Sequence, residues 1–243
     1  MTLLGITRSS DELRSISTRA TSQGVEVVAI PLVKHTHVDF DLPGANPLAE
    51  GDWLLFTSAR GVEAFFTGLK KSERELPRKI RIATVGKSTR SAVERFGFQV
   101  SFVPGAVGAF ALFEEFVKRY EHSSPRVIYL SAKEAHFDPS DLLKPTQINY
   151  TRIVTYRSEV AALSENPTKR FTSSDCILFT SPLTVSAFAE QFSEPESRIL
   201  ALGPSTASAI TKIGWGDSET LPEPNIELAL QYSGSSLTAG RIS

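Results

Sequence analysis

Short apolar runs alternate along the chain with stretches in which apolar residues recur every three or four positions. Trp53-Leu54-Leu55-Phe56 and Cys176-Ile177-Leu178-Phe179 are continuous runs, the pattern of strands buried on both faces of a parallel sheet. Each is followed by Thr-Ser, at 57–58 and 180–181. Helical spacing comes next: Val62, Phe65, Phe66 and Leu69 in one case, Val185, Phe188, Ala189 and Phe192 in the other. The serine of each pair is placed to cap its helix by accepting an otherwise unpaired N–H. Ile82–Val85 and Ile199–Leu202 predict two more strands, with turns at Gly86 and Gly203. Ser88-Thr89 and Ser205-Thr206 then open helices that end at Phe96-Gly97 and Ile213-Gly214, where glycine supplies a left-handed C-cap. Leu3–Thr7, Val25–Ile30, Val100–Val103, Val127–Leu130 and Ile148–Val154 predict further strands. Asp11–Gln23, Phe110–Tyr120 and a shorter stretch at Ser140–Lys144 predict helices. This alternation is the signature of an α/β fold with parallel sheets.

The chain also repeats itself. Asp52–Phe66 and Asp175–Ala189 share eight of fifteen residues at an offset of 123. Arg81–Phe98 and Arg198–Trp215 share eight of eighteen at an offset of 117. Two copies in the same order, at so long a period, fit a duplicated domain better than a solenoid. The connections Pro31–Pro47 and Arg157–Ser174 are polar and carry proline at 31, 43, 47 and 167. If both cross between domains, residues 37–156 form one continuous α/β domain. Residues 1–34 and 172–243 then form a second, discontinuous one, with linkers at about 35–36 and 157–171. Two crossings make a paired hinge, and a cleft between the domains becomes the expected site. Gly234–Ser243 is rich in Gly and Ser and is expected to be a disordered tail.

Composition narrows the chemistry. Of the 243 residues, 26 are Lys or Arg and 27 Asp or Glu, so the net charge is −1. That balance argues against a broadly nucleic-acid-binding surface, while leaving room for a local basic site. No run approaches the ~20 apolar residues of a membrane helix, and Met1–Ile6 is too short an apolar stretch for a signal peptide. A cytoplasmic protein is expected. The single cysteine, Cys176, excludes an intrachain disulfide and reads as a buried filler in a strand. His35 and His37 form an H-x-H, but no third ligand lies nearby, and they read as exposed loop histidines rather than a metal site.

Familiar catalytic motifs fail. A P-loop needs glycine five residues before Gly86, where Arg81 stands, and Pro204 replaces Lys87 in the second copy. A nucleophile elbow needs glycine two residues after Ser88 or Ser205, where Arg90 and Ala207 stand. No G-x-G-x-x-G follows a predicted strand. What remains is a set of strand-to-helix turns carrying hydroxyls: Ser58, Ser88, Thr89, Ser181, Ser205 and Thr206. Each can be a helix cap or a ligand contact. In open α/β sheets such turns form the binding edge, and helix N-termini there attract anions. The same arrangement in both halves points to a ligand with several negative groups.

These residues resemble the uroporphyrinogen-III synthase family over nearly the full chain. The run is Ile6-Thr7-Arg8, Phe56-Thr57-Ser58-Ala59, Val85-Gly86 with Ser88-Thr89, Val154-Thr155-Tyr156-Arg157, Phe179-Thr180-Ser181-Pro182 and Leu202-Gly203-Pro204-Ser205-Thr206-Ala207. The resemblance implies two flavodoxin-like α/β domains joined by a two-stranded linker, a site in the cleft, and a monomer without metal or organic cofactor. It implies cyclisation of hydroxymethylbilane with loss of water and inversion of ring D through a spiro intermediate. It makes Tyr156 the candidate acid that assists the departing hydroxyl. It makes Thr89 and Thr206 cleft threonines that bind substrate carboxylates, with Gly86, Gly203 and the turn serines beside them. Arg8, after the first strand, is a candidate carboxylate partner. A transient contact with hydroxymethylbilane synthase, which supplies the substrate, is a further expectation. Ser9, Arg60 and Lys87 depart from the family's usual residues, and the last two add cations near the proposed mouth. The competing readings are a non-catalytic two-domain binding protein for a polyanionic small molecule and a glycosyltransferase-like enzyme. The latter normally needs a longer chain and a nucleotide-sugar site.

Overall fold

The computed structural model describes residues 1–42, 48–106, 108–135, 137–161, 163 and 165–234. The chain divides into two units, Met1–Lys34 with Glu159–Ser243, and His35–Ser158.

In the continuous unit, the apolar runs become the strands β4 (Trp53–Phe56), β5 (Arg81–Thr84) and β6 (Arg126–Ala132). With β3 (Val33–His37) and β7 (Asn149–Val160) they form a sheet of order β3-β7-β6-β4-β5. Trp53 is in register with both Val127 and Arg81, and Phe56 with Leu130 and Thr84, all parallel. Successive side chains in β4 enter opposite faces. Leu54 and Phe56 pack with Val62 and Phe65 of α2 (Ala59–Lys71) and Val93 of α3 (Lys87–Arg95). Trp53 and Leu55 pack with Phe113 and Phe116 of α4 (Ala109–Tyr120) and Leu143 of the short α5 (Ser140–Leu143). Fully burying each such aromatic or aliphatic side chain contributes ~1.5–3 kcal/mol.

The other unit holds β1 (Thr2–Ile6), β2 (Val25–Ala29), β8 (Cys176–Phe179), β9 (Arg198–Ala201) and β10 (Ser218–Thr220), in the order β10-β9-β8-β1-β2. Leu4, Ile6, Cys176 and Leu178 face α1 (Ser10–Ser22) and α9 (Ile226–Gly234). Ile177, Phe179 and Ile199 face α7 (Pro182–Ala189), α8 (Pro204–Lys212) and Phe171 of α6 (Glu165–Thr172). The repeated blocks thus become β4-α2 and β5-α3 in one unit and β8-α7 and β9-α8 in the other. Within each pair the two strands are parallel neighbours.

Three readings of the sequence change. The polar connection 31–47 contains β3, so His35 and His37 lie on an edge strand rather than in a loop. The connection 157–174 contains the end of β7 and α6. Val100–Val103 forms no strand: Phe102 makes a single bridge to Ala83, and Pro104 follows. The glycine caps hold, with Gly97 at φ 83° and Gly214 at φ 81°. The expected tail beyond Gly234 lies outside the described residues, as do the prolines at 43 and 47. Among the described residues no helix is long and apolar enough to cross a membrane.

Candidate functional site

The strands of each sheet that precede helices deliver those helices at their carboxyl ends. In the continuous unit, β4 ends at Phe56 and Ser58 caps α2. Its hydroxyl accepts from Gly61 N–H at 3.0 Å. The same oxygen lies 2.9 Å from the Tyr156 hydroxyl. Tyr156 reaches it from β7, where it pairs with Ala132 at the carboxyl end of β6. The Tyr156 side chain is buried. Next to it, Thr57 Oγ1 lies 3.3 Å from the Tyr129 hydroxyl. Burial pushes the Tyr129 phenol upward, so it stays neutral.

After β5 the chain turns at Gly86 into α3, and after β9 at Gly203 into α8. Neither glycine has a side chain, and among the described residues neither helix start has a side-chain cap. A Cβ added at Gly86 or Gly203 would meet nothing within 4 Å, so the helix starts stay open for lack of a capping group, not for lack of room. Thr89 and Thr206 are buried in the first turns, while Ser88 and Ser205 are exposed beside them. In the discontinuous unit Ser181 caps α7 through Thr184 N–H at 3.3 Å, in a capping box with the Thr184 side chain. Thr7 at the end of β1 ties to Thr180, whose N–H donates to Thr7 Oγ1 at 3.0 Å. Arg8, half-buried, follows Thr7 directly.

The four helices that follow the repeated strands, α2, α3, α7 and α8, all lack an acidic residue in the first turn. Helix starts ordinarily favour Asp or Glu there, because the macrodipole and unpaired N–H groups are positive. Leaving the acidic positions empty, and adding Arg60 in α2 and Lys87 in α3, preserves that potential for an external anion. Among the described residues no group of three His, Cys, Asp or Glu is placed to hold a metal. Cys176 is buried and its thiol is pushed up to about 12 by desolvation, so it is no nucleophile at neutral pH.

The family model described as uroporphyrinogen-III synthase HemD matches residues 14–231. The chain belongs to the uroporphyrinogen-III synthase family. A uroporphyrinogen-III synthase of the chloroplast from Oryza sativa subsp. japonica is 26% identical over 223 residues, covering 86% of this chain and 72% of its own. The crystal structure of uroporphyrinogen-III synthetase from Helicobacter pylori 26695 superposes with a TM-score of 0.66 at 19% identity, covering 96% of this chain and 100% of that one. A mutant uroporphyrinogen III synthase from the extremely thermophilic bacterium Thermus thermophilus gives 0.55 at 16% identity, over 96% and 97%. At those identities the superpositions carry the α/β fold with its parallel sheets. Family, rice relative and structures together indicate a uroporphyrinogen-III synthase, an enzyme of haem biosynthesis.

Within this synthase family member, the structure brings Ser58 and Tyr156 into contact, although they are 98 residues apart. It sets Gly86, Ser88 and Thr89 at the start of α3, and Gly203, Ser205 and Thr206 at the start of α8. Arg8 and Ser181 stand at the ends of the neighbouring strands β1 and β8. Sequence reasoning missed Thr57, Tyr129 and Arg152. Arg152 donates to Ser131 Oγ and Ala132 O, each at 2.8 Å, and so ties down the end of β6 beside Tyr156. Nothing in the sequence singled it out, because β7 carries several other polar and charged residues.

Proposed function

We propose that the chain converts hydroxymethylbilane to uroporphyrinogen III, with the helix starts of α2, α3, α7 and α8 taking substrate carboxylates. The single observation that carries this is the absence of acidic residues from those four first turns, combined with the missing side-chain caps on α3 and α8. Thr89 and Thr206 add hydroxyls in the same turns, and Arg8 a guanidinium.

The chemistry asks little of the protein. The ring A hydroxymethyl group loses its oxygen as water, taking one proton, while the pyrrole nitrogen supplies electrons. The substituted carbon of ring D attacks the resulting azafulvene and forms a spiro intermediate. That carbon's original bond to the bridge breaks, ring D turns over, and its free carbon closes the macrocycle with loss of one proton. Water is eliminated overall, which makes the enzyme a hydro-lyase. Selecting one attack geometry is the main task, because the substrate also closes unaided to the uninverted isomer. Tyr156 provides the proton for the departing hydroxyl. Its phenol oxygen lies 2.9 Å from Ser58 Oγ, and either hydroxyl can donate in that pair; in the arrangement where Ser58 donates, the phenol hydrogen is left for the leaving group.

The repeated blocks support an origin by internal duplication, with β3 and β7 as the paired connection between the halves. The enzyme acts as a cytoplasmic monomer that takes its substrate from hydroxymethylbilane synthase in a transient contact. Porphobilinogen and its deaminase, supplying hydroxymethylbilane in situ, test the function. Type III product after oxidation and chromatography is expected. Type I alone from folded protein would leave a binding protein for a polyanionic ligand.

A further inference from the structure

His35, the first histidine of the H-x-H in β3, lies against the candidate acid. Val38 N–H donates to Thr155 O at 2.9 Å, and His35 Nδ1 lies 2.9 Å from Ser158 Oγ. These two pairings run in opposite chain directions, so β3 is antiparallel to β7. In that register His35 stands opposite Ser158 and His37 opposite Tyr156. Both are non-hydrogen-bonded pairs, in which facing side chains come closest. The diagonal neighbour of His35 is then Tyr156. Their rings meet edge to face, with centroids 6.2 Å apart and planes at 70°.

The Tyr156 phenol is thus bounded on three sides. Ser58 holds the oxygen at 2.9 Å. Gly61 of α2 passes so near that a Cβ there would lie 3.7 Å from Tyr156 Cε1 and 3.2 Å from Ser58 Oγ. His35 covers the ring from β3, itself anchored by Ser158. One hydrogen bond at the oxygen leaves a phenol free to swing about its side-chain torsions; a ring seated on its flank removes that freedom.

We infer that His35 is a positioning residue for Tyr156, a role that rests on the reading of Tyr156 as the acid. The imidazole acts by its shape, as an edge against the phenol, and not by its charge. The test compares His35→Ala, His35→Gln and His35→Phe in the hydroxymethylbilane assay, each alone and with Tyr156→Phe. An edge-to-face contact sets the scale at about 2- to 10-fold. His35→Ala and His35→Gln are expected to lower kcat for type III product by that factor, with KM unchanged. His35→Phe restores most of it, because the aromatic edge returns without the ring nitrogens. In the Tyr156→Phe background His35→Ala has no further effect. Full activity in His35→Ala, a His35→Phe variant as slow as His35→Ala, or an undiminished loss in the Tyr156→Phe background would overturn the inference. Full activity in Tyr156→Phe alone would overturn the acid assignment, and this inference with it.

Discussion

Replacing Ser58 by alanine removes one oxygen that serves two partners. The first is Gly61 N–H, the cap of α2, at 3.0 Å. Loss of a serine N-cap costs about 1 kcal/mol. The second is the Tyr156 hydroxyl at 2.9 Å, on a side chain only 8% exposed. An intramolecular hydrogen bond contributes about 1 kcal/mol, and the buried phenol is left to find another partner. The expected loss is about 2 kcal/mol. At ~2–4 °C per kcal/mol for a protein of this size, the melting temperature falls by about 4–8 °C. Ser181 is the internal control: it caps α7 in the corresponding position but accepts from Thr184 N–H alone among its partners in that turn. Ser181→Ala is expected to lose about half as much. In a Tyr156→Phe background, Ser58→Ala should lose only the cap, about 1 kcal/mol. Thermal melts by circular dichroism compare the unmutated protein with these four variants, Tyr156→Phe alone among them, and type III yield measures the activity that Ser58→Ala should reduce. Equal losses for Ser58→Ala and Ser181→Ala, or the same Ser58→Ala loss with and without the phenol, would refute the claim that the serine–tyrosine bond contributes.

Gly5→Ala should destabilise by ~1–3 kcal/mol through overpacking, because the new Cβ would lie 2.9 Å from both Phe171 Cε2 and Ser174 Oγ; a raised urea midpoint would contradict that. Thr206→Val keeps the buried shape and deletes the hydroxyl, so KM for hydroxymethylbilane should rise several-fold, and an unchanged KM would remove Thr206 from substrate binding. Cys176 and Tyr129 both hold their protons to higher pH in the folded protein than in the unfolded chain, chiefly because burial disfavours the anion. The thiol's contribution is therefore complete below its ordinary value of 9.0 and is lost as pH rises toward about 12, and the phenol's declines above its ordinary value of 10.0. The urea midpoint should fall steadily between pH 9 and 11, and a flat profile there would count against the buried thiol.

The blocks at β4-α2, β5-α3, β8-α7 and β9-α8 were legible because each couples a doubly buried apolar run to a Thr-Ser or Gly-x-Ser-Thr turn and a helical apolar face. The edge strand β3 was not. Its residues, VKHTH, are polar because one side of the strand has no neighbour to bury it. The three-residue β10 is too short to show a period, and α6 sits in a segment whose polarity read as a connection. Conversely, Val100–Val103 looks like a strand because Val100 and Phe102 pack against the core on the two sides of the sheet, although only Phe102 bridges to the sheet. Individual site residues could be read from turn chemistry and family resemblance. The contacts that join them could not: Ser58 with Tyr156, Thr57 with Tyr129, and His35 with Ser158 all span long stretches of chain. Hydrophobic period says which face a residue occupies, not which distant neighbour shares it.

The split origin of one sheet has a consequence for how the protein is made. The Leu3 amide bonds to the Asp175 carboxylate at 2.7 Å across 172 residues, and β1 takes its central place only when β8 has been added beside it. At ~5–20 residues per second of translation, on the order of ten to thirty seconds separate the two. Over that interval all of His35–Ser158 leaves the ribosome and can complete its own sheet, while β1 and β2 wait with one flank unpaired. A nascent chain that has emerged only as far as Asp175 therefore carries a finished domain beside a sticky two-stranded ribbon, and ribosome-associated chaperones have most to protect at β1 and β2, made well before the rest of their sheet and finished last.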